Sequence, residues 1–375
     1  MKLLSTSLAA ILGLAHLGAA QTVSGAAQGF ASGVTGGGDA EGQEPSDIDQ
    51  LKEWLTDDTP RVILLSKEYD FTESEGTESG NVCASWGEGE GCQKIIQDDC
   101  GSDPASTATW YKAPKNPIDV GSDKTLLGVG DSGAIKGKGL RFRGGASNII
   151  VQNIHVTDLN PEYVWGGDAI SFDGADLVWI DHVTTARPGR QHYVFGFDTS
   201  TRVTLSNNFI DGESPYSTGC GDKHHYWTFE MVGEDDQITL QNNYIFSTAG
   251  RSPALSGGTL LHAVNNVWED NNGHALEGGD DTARGIFEGN VFLSVNQVIG
   301  DYAGRIFTSP ESALDQCTSA LGRACEVNIV SDSNDFTEST DTSFFSDFKD
   351  LKIAPATSAS EAQSSVPNNA GAGKL

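Results

Sequence analysis

Three arginines and one carboxylate stand out as residues that could do chemistry. Asp168, Arg187 and Arg190 lie within 23 residues (168 to 190), and Asp168 follows Trp165 and two glycines. Arg251 stands in a second motif, Gly-Arg-Ser-Pro. When a proton is removed from a carbon next to a carbonyl group, the enolate-like charge needs a nearby cation, and arginine suits that role. The pattern therefore indicates a site that handles negative charge on oxygen.

The residues around these motifs form a repeat. Short runs with apolar and polar residues in alternation each end on Asn or a similar polar residue, and the markers are residues 153, 182, 208, 243, 266 and 290. The spacings are 29, 26, 35, 23 and 24, in the range of solenoid repeats. Alternation indicates strands, and helix-length periodic segments are scarce. We therefore predict an all-β, single-domain, right-handed parallel β-helix over residues 21–353, in which the Asn pairs are architectural.

Three segments lie outside the repeat. A short helix over residues 49–55, capped by Ser46 or Asp47, would cover the open N-terminal end of the solenoid. Residues 72–119 are rich in Gly, Ser and acids, and we expect a long disulfide-tied loop along the coil. Residues 354–375 are expected to form a C-terminal tail, either poorly ordered or a strap along the solenoid.

The N-terminus has the features of a secretory signal. Lys2 precedes an apolar run over residues 8–17 and a small-residue exit at residues 18–20, so we expect residues 1–20 to be removed and the protein to be secreted. The run is too short to span a bilayer.

An even set of six cysteines fits disulfides in an exported chain, although spacing alone leaves 15 pairings open. With a net charge of −29, we expect no nucleic-acid or membrane partner. We also expect the protein to be a monomer.

The three motif blocks, namely Trp165 to Ile170, Leu177 to His182 and Arg187 to His192, together with Gly250-Arg251-Ser252-Pro253, resemble the fungal pectin lyases of the pectate lyase superfamily. The resemblance runs from about residue 25 to residue 347. It implies a secreted, endo-acting enzyme that cleaves methyl-esterified polygalacturonan by β-elimination to 4,5-unsaturated products, without a metal or other cofactor. It also implies the disulfides Cys83–Cys100, Cys92–Cys220 and Cys317–Cys325.

The resemblance assigns roles to the motif residues. Arg251 would take the proton, Arg190 would be its electrophilic partner, and Asp168 would hold Arg190 or a substrate hydroxyl. Because guanidinium holds its proton, Arg251 could act as a base only if crowding by other cations, here Arg187 and Arg190, disfavours its charged form. The substrate-binding candidates are Arg187 and three cleft tryptophans, Trp86, Trp165 and Trp227. His192 and Asp236 are weaker candidates for the same role.

Two departures from the family pattern keep alternatives open. Ala254 replaces a lysine usual beside the proposed base, and Asp98-Asp99 replace a tryptophan before Cys100. A calcium-dependent pectate lyase is the nearest alternative, but Arg190 stands where those enzymes have an acidic ligand. A non-catalytic polysaccharide-binding β-helix is the other alternative, which the lost lysine favours. A hydrolase would need a pair of carboxylates, and the signatures of the polygalacturonases are missing.

Overall fold

A computed structural model describes residues 22–334 and 336–375. The proposed signal segment lies outside the described residues. The described chain winds into a coil of short parallel strands that form three faces, which confirms the predicted parallel β-helix. Successive rungs pair in register, so that inward apolar residues of neighbouring runs line up in one core, as Val178, Val203 and Ile238 do.

Sheet one is ten-stranded and continuous along one face of the coil. Its strands are Gly42–Gln43, Arg61–Leu65, Lys124–Gly128, Ser147–Gln152, Asp176–Asp181, Thr201–Ser206, Gln237–Gln241, Leu260–Val264, Arg284–Glu288 and Arg305–Phe307. Sheet two follows it around the coil, with strands Glu68–Asp70, Ala134–Lys136, His155–Leu159, Thr184–Pro188, Phe209–Asp211, Tyr244–Thr248, Val267–Gly278, Val291–Tyr302 and Ile329–Ser331.

Sheet three completes each rung. Its strands are Ile118–Asp119, Leu140–Arg143, Ile170–Asp173, Tyr193–Phe195, Phe229–Met231 and Ala254–Leu255. The long strand Val267–Gly278 bends from sheet two into sheet three, where Glu277 pairs with Ala254. Inside this face, aromatic rings stack between rungs, with 4.4 Å between the ring centroids of Phe172 and Phe195. Such stacking gives the coil a continuous apolar interior.

The corner between sheets one and two carries an asparagine ladder. Nδ2 of Asn208 donates to Oδ1 of Asn243 at 2.9 Å, and the same bond continues through Asn266 and Asn290 to Asn328. The residue before each of these often turns the corner in the left-handed region, as Asn207 does at φ 52°. In each Asn pair, the first residue thus bends the backbone and the second forms hydrogen bonds from rung to rung, as expected for an architectural role.

The N-terminal cap is a helix over Ile48–Thr56, one residue longer at each end than expected. The carboxylate of Asp47 accepts from the amide of Gln50 and caps it. Leu51 and Leu55 are fully buried in the main core, so the helix covers the first rungs. The other helical segments are Gly29–Ala31, Ala113–Lys115, Glu311–Cys317, Thr318–Leu321, Phe345–Phe348 and Ala359–Asn369.

The segment at residues 72–119 differs from the expected loop. It folds into an antiparallel sheet of strands Thr77–Cys83, Lys94–Ile96 and Ala105–Tyr111, to which Tyr163–Val164 adds in parallel. All six cysteines are paired as the resemblance implied, and Cys92–Cys220 ties this sheet to the coil.

The C-terminal segment forms a strap along the solenoid, the second of the two expected alternatives. The helix Ala359–Asn369 is capped by Ser358 and buries Ala362 and Val366 against sheet two. Beyond it, the amide of Gly373 donates to Oδ1 of Asn153, so the chain end runs back along several rungs. Among the described residues, no helix is long and apolar enough to cross a membrane.

Candidate active site

The three proposed catalytic residues and the substrate-binding candidate Trp227 gather at one edge of sheet three. Each lies two or three residues before a strand of that sheet, and the strands belong to consecutive rungs. The residues are Asp168, Arg190, Trp227 and Arg251, ahead of strands Ile170–Asp173, Tyr193–Phe195, Phe229–Met231 and Ala254–Leu255. Because parallel strands in register share one edge and lie about 4.8 Å apart, Arg190 and Arg251 are two rungs, or roughly 10 Å, from each other along the backbone.

Asp168 and Arg190 form a two-pronged ion pair. Nε of Arg190 donates to one carboxylate oxygen at 3.0 Å and Nη2 donates to the other at 2.7 Å. The amide of Gln191 adds a third hydrogen bond to the same carboxylate at 2.9 Å. The side chains are 16% and 20% exposed. Asp168 therefore fixes the plane of the guanidinium, as the first of its two expected roles requires.

Glycine allows the loops that carry this pair to meet. The amides of Gly189 and Arg190 both donate to the carbonyl of Gly167 at 3.0 Å. Gly167 has φ 152°, and a Cβ there would lie 2.5 Å from the carbonyl oxygen of Pro114. A Cβ at Gly189 would lie 2.6 Å from the carbonyl oxygen of Tyr163. Neither position has room for a side chain, so the glycines beside Asp168 and Arg190 are needed for the geometry of the pair.

Arg190 has two further contacts. Its guanidinium carbon lies 4.0 Å from the ring centroid of Trp165, which is 53% exposed. Nε2 of His225 lies 2.6 Å from the backbone carbonyl of Arg190 and must donate, since a carbonyl oxygen only accepts. Burial lowers the pKa of His225 to about 4, so its ring is neutral above that pH. His225 thereby fixes the backbone of Arg190 without adding charge.

Arg251 lies between carboxylates rather than cations. Its Nη1 contacts Oε2 of Glu230, and its Nε lies 3.6 Å from Oε1 of Glu277. Its backbone is in the left-handed region at φ 45°, and its side chain is 28% exposed. The guanidinium carbon lies 4.8 Å from the ring centroid of Trp227. Both arginines thus stack on a tryptophan at the same edge of the coil.

Trp227 is held in place by a residue next to the disulfide-tied antiparallel sheet. Its Nε1 donates to Oε1 of Gln93 at 3.0 Å, and the amide of the buried Gln93 bonds to the carbonyl of Gly189 at 3.1 Å. Gln93 follows Cys92, which is bonded to Cys220. Trp86 packs edge-on against Trp227 with 6.0 Å between ring centroids. The two rings form one aromatic wall beside Arg251.

The structure does not bring Arg187 to this site, and the expected crowding of Arg251 is wrong. Arg187 lies on sheet two, where Nε and Nη2 donate to the carboxylate of Asp158 at 2.6 and 2.9 Å. These bonds raise the pKa of Arg187. Arg190 forms its ion pair with Asp168. Among the described residues, no contact gives Arg251 a cationic neighbour that would disfavour its charged form.

The structure also contradicts the expected substrate-binding role of His192 and Asp236. Both are fully buried, which leaves no surface for a ligand. Nδ1 of His192 bonds to the hydroxyl of Thr185 at 2.8 Å, and burial lowers its pKa. Asp236 lies at a bend and accepts from the amide of Ser200 at 2.7 Å, and burial raises its pKa to about 7. Both residues hold the coil together.

Sequence reasoning missed the two carboxylates beside Arg251, Glu230 and Glu277. The pairing of neighbouring strands places five residues in one row across sheet three, namely Ser171, Val194, Glu230, Ala254 and Glu277. Ala254, where the family usually has lysine, is flanked by the two glutamates. One signal could have revealed Glu230, because it is the polar residue of an apolar-polar-apolar strand with Phe229 and Met231 buried on both sides.

One cavity is lined by residues of this site, whereas a larger cavity is not. The first, of about 180 Å³, is lined by Trp165, Asp168 and Arg190 together with Lys115 and Arg141. A larger cavity of about 920 Å³ lies by sheet two and the antiparallel sheet and includes Asp158, but neither Arg190 nor Arg251 lines it. We assign the site to the edge of sheet three that carries Arg190 and Arg251, because the charged side chains converge there. Among the described residues, no group of three or more His, Cys, Asp or Glu side chains is arranged to hold a metal ion.

The chain is similar in sequence to known proteins along its whole length. A family profile described as pectate lyase matches residues 1–375. The chain is 76% identical to a probable pectin lyase A of Aspergillus flavus, with all of both chains covered. It is 51% identical to pectin lyase A of Aspergillus niger, with 95% of each chain covered. The chain belongs to the pectin lyases of the pectate lyase family.

Solved structures of the same family show the fold. A pectate lyase bound to a hexasaccharide has a TM-score of 0.60 and 17% identity, with 96% of this chain and 100% of that chain covered. A pectate lyase from Bacillus sp. N165 in complex with trigalacturonate has a TM-score of 0.57 and 20% identity, with 93% and 99% covered. This pectin lyase therefore shares the coil of the pectate lyases at low sequence identity.

Proposed function

We propose that this pectin lyase cleaves methyl-esterified polygalacturonan within the chain by β-elimination. Arg251 takes the proton from C5 of a uronate residue, and Arg190, held by Asp168, neutralises the charge that develops on the ester group. The bond from C4 to the glycosidic oxygen then breaks and leaves a 4,5-unsaturated end. One observation carries the proposal: two arginines, each stacked on a tryptophan, lie two rungs apart at one edge of sheet three.

A polymer is the substrate that suits this spacing. The site is an open edge that crosses consecutive rungs, so a chain lying across the strands would pass Arg190 and Arg251 in turn. An end of the polymer is not needed for such contacts, which supports endo-acting cleavage. Trp227, whose ring packs edge-on against Trp86, lies at the same edge on the rung between those of Arg190 and Arg251.

Aromatic surface and charge both favour the ester. A methyl ester removes the uronate charge and adds apolar area that stacks on tryptophan rings such as the exposed Trp165. Glu230 and Glu277 lie in the same row and would repel a free uronate. The chain as a whole carries a net charge of −29. We infer that affinity rises with the degree of esterification.

We infer that the reaction needs no metal, because Arg190 supplies the positive charge that the ester oxygen requires. Its two hydrogen bonds to Asp168 leave the remaining donors of the guanidinium free for a ligand. We also propose that the protein is exported and acts as a monomer. Three disulfides support export, since such bonds persist in oxidising compartments.

The test is an initial-rate measurement on one pectin stock de-esterified in steps, in excess chelator. We expect ultraviolet-absorbing unsaturated products from the highly methylated pectin, and kcat/KM should fall as ester groups are removed. A rate that vanishes in chelator and returns with calcium would replace this proposal with the calcium-dependent pectate lyase. Binding of pectin without any unsaturated product would favour the non-catalytic alternative.

A further inference from the structure

Glu230 occupies the centre of the proposed site. It lies in the outward row of sheet three, between Val194 and Ala254, on the rung between those of Arg190 and Arg251. The side chain is 19% exposed. An acidic side chain at this place is unexpected for a site that must stabilise negative charge, so its contacts are informative.

These contacts connect Glu230 to both arginines. Oε2 of Glu230 contacts Nη1 of Arg251 and accepts from Nε2 of Gln191 at 3.0 Å. The backbone amide of the same Gln191 donates to the carboxylate of Asp168, which holds Arg190. Gln191 is fully buried, so its position is fixed. A continuous set of hydrogen bonds and ion pairs thus runs from Arg190 to Arg251 through Asp168, Gln191 and Glu230.

The chemistry of Arg251 requires such a partner. A guanidinium has no free lone pair for a proton unless it first loses one of its own. Cationic crowding would favour that loss, but the charged groups in contact with Arg251 are the carboxylates of Glu230 and Glu277. A carboxylate already in contact with the guanidinium can take that proton during the reaction.

We propose that Glu230 accepts the proton that Arg251 releases, so that Arg251 relays the C5 proton instead of storing it. This inference rests on the proposed role of Arg251. Nη1 of Arg251 gives a proton to Oε2 of Glu230, and the lone pair that this leaves on Nη1 takes the C5 proton, so that Arg251 is again a guanidinium. The C5–H electron pair forms the C4=C5 bond, and the pair of the breaking C4–O bond leaves on the glycosidic oxygen. Water protonates that oxygen, and Glu230 later returns its proton to solvent.

Glu277 is less suited to this role. Its carboxylate contacts Nε2 of His274 and accepts from the hydroxyl of Tyr226 at 3.1 Å, and it faces Nε of Arg251 rather than an Nη atom. Among the described residues, the charged group in contact with Glu230 is Arg251; Glu277 lies on the other side of Ala254 with His274 and Tyr226 bound to it, and the Asp168–Arg190 pair lies beyond Gln191. Glu277 is committed to His274, whereas the contacts of Glu230 are with Gln191 and Arg251.

Glu230→Gln tests the relay in the intact enzyme, with Glu277→Gln as the matched comparison. Positioned proton acceptors contribute about 10²- to 10⁴-fold to rate, so Glu230→Gln should lower kcat at least ~100-fold on methylated pectin with KM changed less than about threefold. The acid limb of the kcat–pH profile should disappear in Glu230→Gln and persist in Glu277→Gln. A merely structural role would not remove the acid limb.

A second variant keeps the test open if Glu230→Gln does not fold. Gln191→Met removes the other hydrogen bond to the Glu230 carboxylate, which should move the acid limb of kcat to higher pH. An unmoved limb, or a Glu230→Gln enzyme with wild-type kcat and acid limb, overturns the relay. If Arg251→Lys loses kcat while Glu230→Gln does not, the relay fails and the proposed role of Arg251 stands. If Arg251→Lys keeps its kcat, the proposed role fails first.

Discussion

Replacing Asp168 by Asn should separate the positioning of Arg190 from its charge. Asparagine keeps the shape of the side chain, but its amide group would face an N–H of Arg190, so one of the two hydrogen bonds at 3.0 and 2.7 Å is lost together with the charge. Arg190 would keep its charge and lose its fixed orientation. Loss of one preoriented donor to a developing oxyanion costs about 10²- to 10³-fold in kcat.

The stability cost should be smaller than this effect on rate. Exposed ion pairs contribute about 1 kcal/mol or less, and breaking a buried pair costs about 3 to 5 kcal/mol. With side chains 16% and 20% exposed, the Arg190–Asp168 pair lies between these limits, so we expect a loss of about 2 kcal/mol in the free energy of unfolding. Chemical denaturation checks that value, and the initial rate of product formation at saturating methylated pectin checks kcat.

Asp158→Asn is the matched control. Asp158 holds Arg187 through the same two donors, but on sheet two and with side chains 37% and 32% exposed. We expect wild-type kcat in this variant and a stability loss of at most about 1 kcal/mol. The reasoning is refuted if Asp168→Asn keeps wild-type kcat, or if Asp158→Asn loses as much activity as Asp168→Asn.

Two further outcomes follow from the fold. Removing the disulfide Cys92–Cys220, which spans 128 residues, should lower the free energy of unfolding by about 4 to 5 kcal/mol. It should also raise KM for pectin, because Gln93 beside Cys92 holds Trp227. Removal of Cys317–Cys325 is the control, and equal KM values in the two variants would contradict this expectation. Burial opposes ionisation of Glu288, but His262 and Arg323 lower its pKa from 4.5 to about 2. Its contribution of about 3 kcal/mol is present above pH 4.5 and lost as the pH falls through 2, so a Glu288→Gln variant with wild-type stability at pH 6 would disprove it.

The coil itself could be predicted because its signals are local. Alternation within each run sets which residues face inward, and the recurring Asn marks each corner, as Asn243 and Asn266 do in the ladder. The N-terminal helix has its cap and its apolar face within ten residues. By contrast, strands Thr77–Cys83 and Ala105–Tyr111 bury few side chains, so no alternation marked them.

The site was only partly predictable because it depends on register between distant strands. The motifs identified Asp168, Arg190 and Arg251, but which residues stand beside Arg251 follows from pairing that no local pattern shows. His192 illustrates the error. Alternation through Tyr193 and Val194 would turn His192 to the outer side of sheet three, yet it lies in the bend before the strand and turns inward to Thr185.

The kcat of Arg251→Lys on highly methylated pectin tests the central claim most directly. Lysine keeps the positive charge but lacks the planar set of donors that contacts Glu230 and faces a substrate at the same time. If Arg251 takes the C5 proton, the variant should lose at least about 3 kcal/mol of transition-state stabilisation, or roughly 150-fold, mainly in kcat and with KM little changed. A variant whose KM rises while kcat survives would show that Arg251 only binds the substrate, and the account would be contradicted.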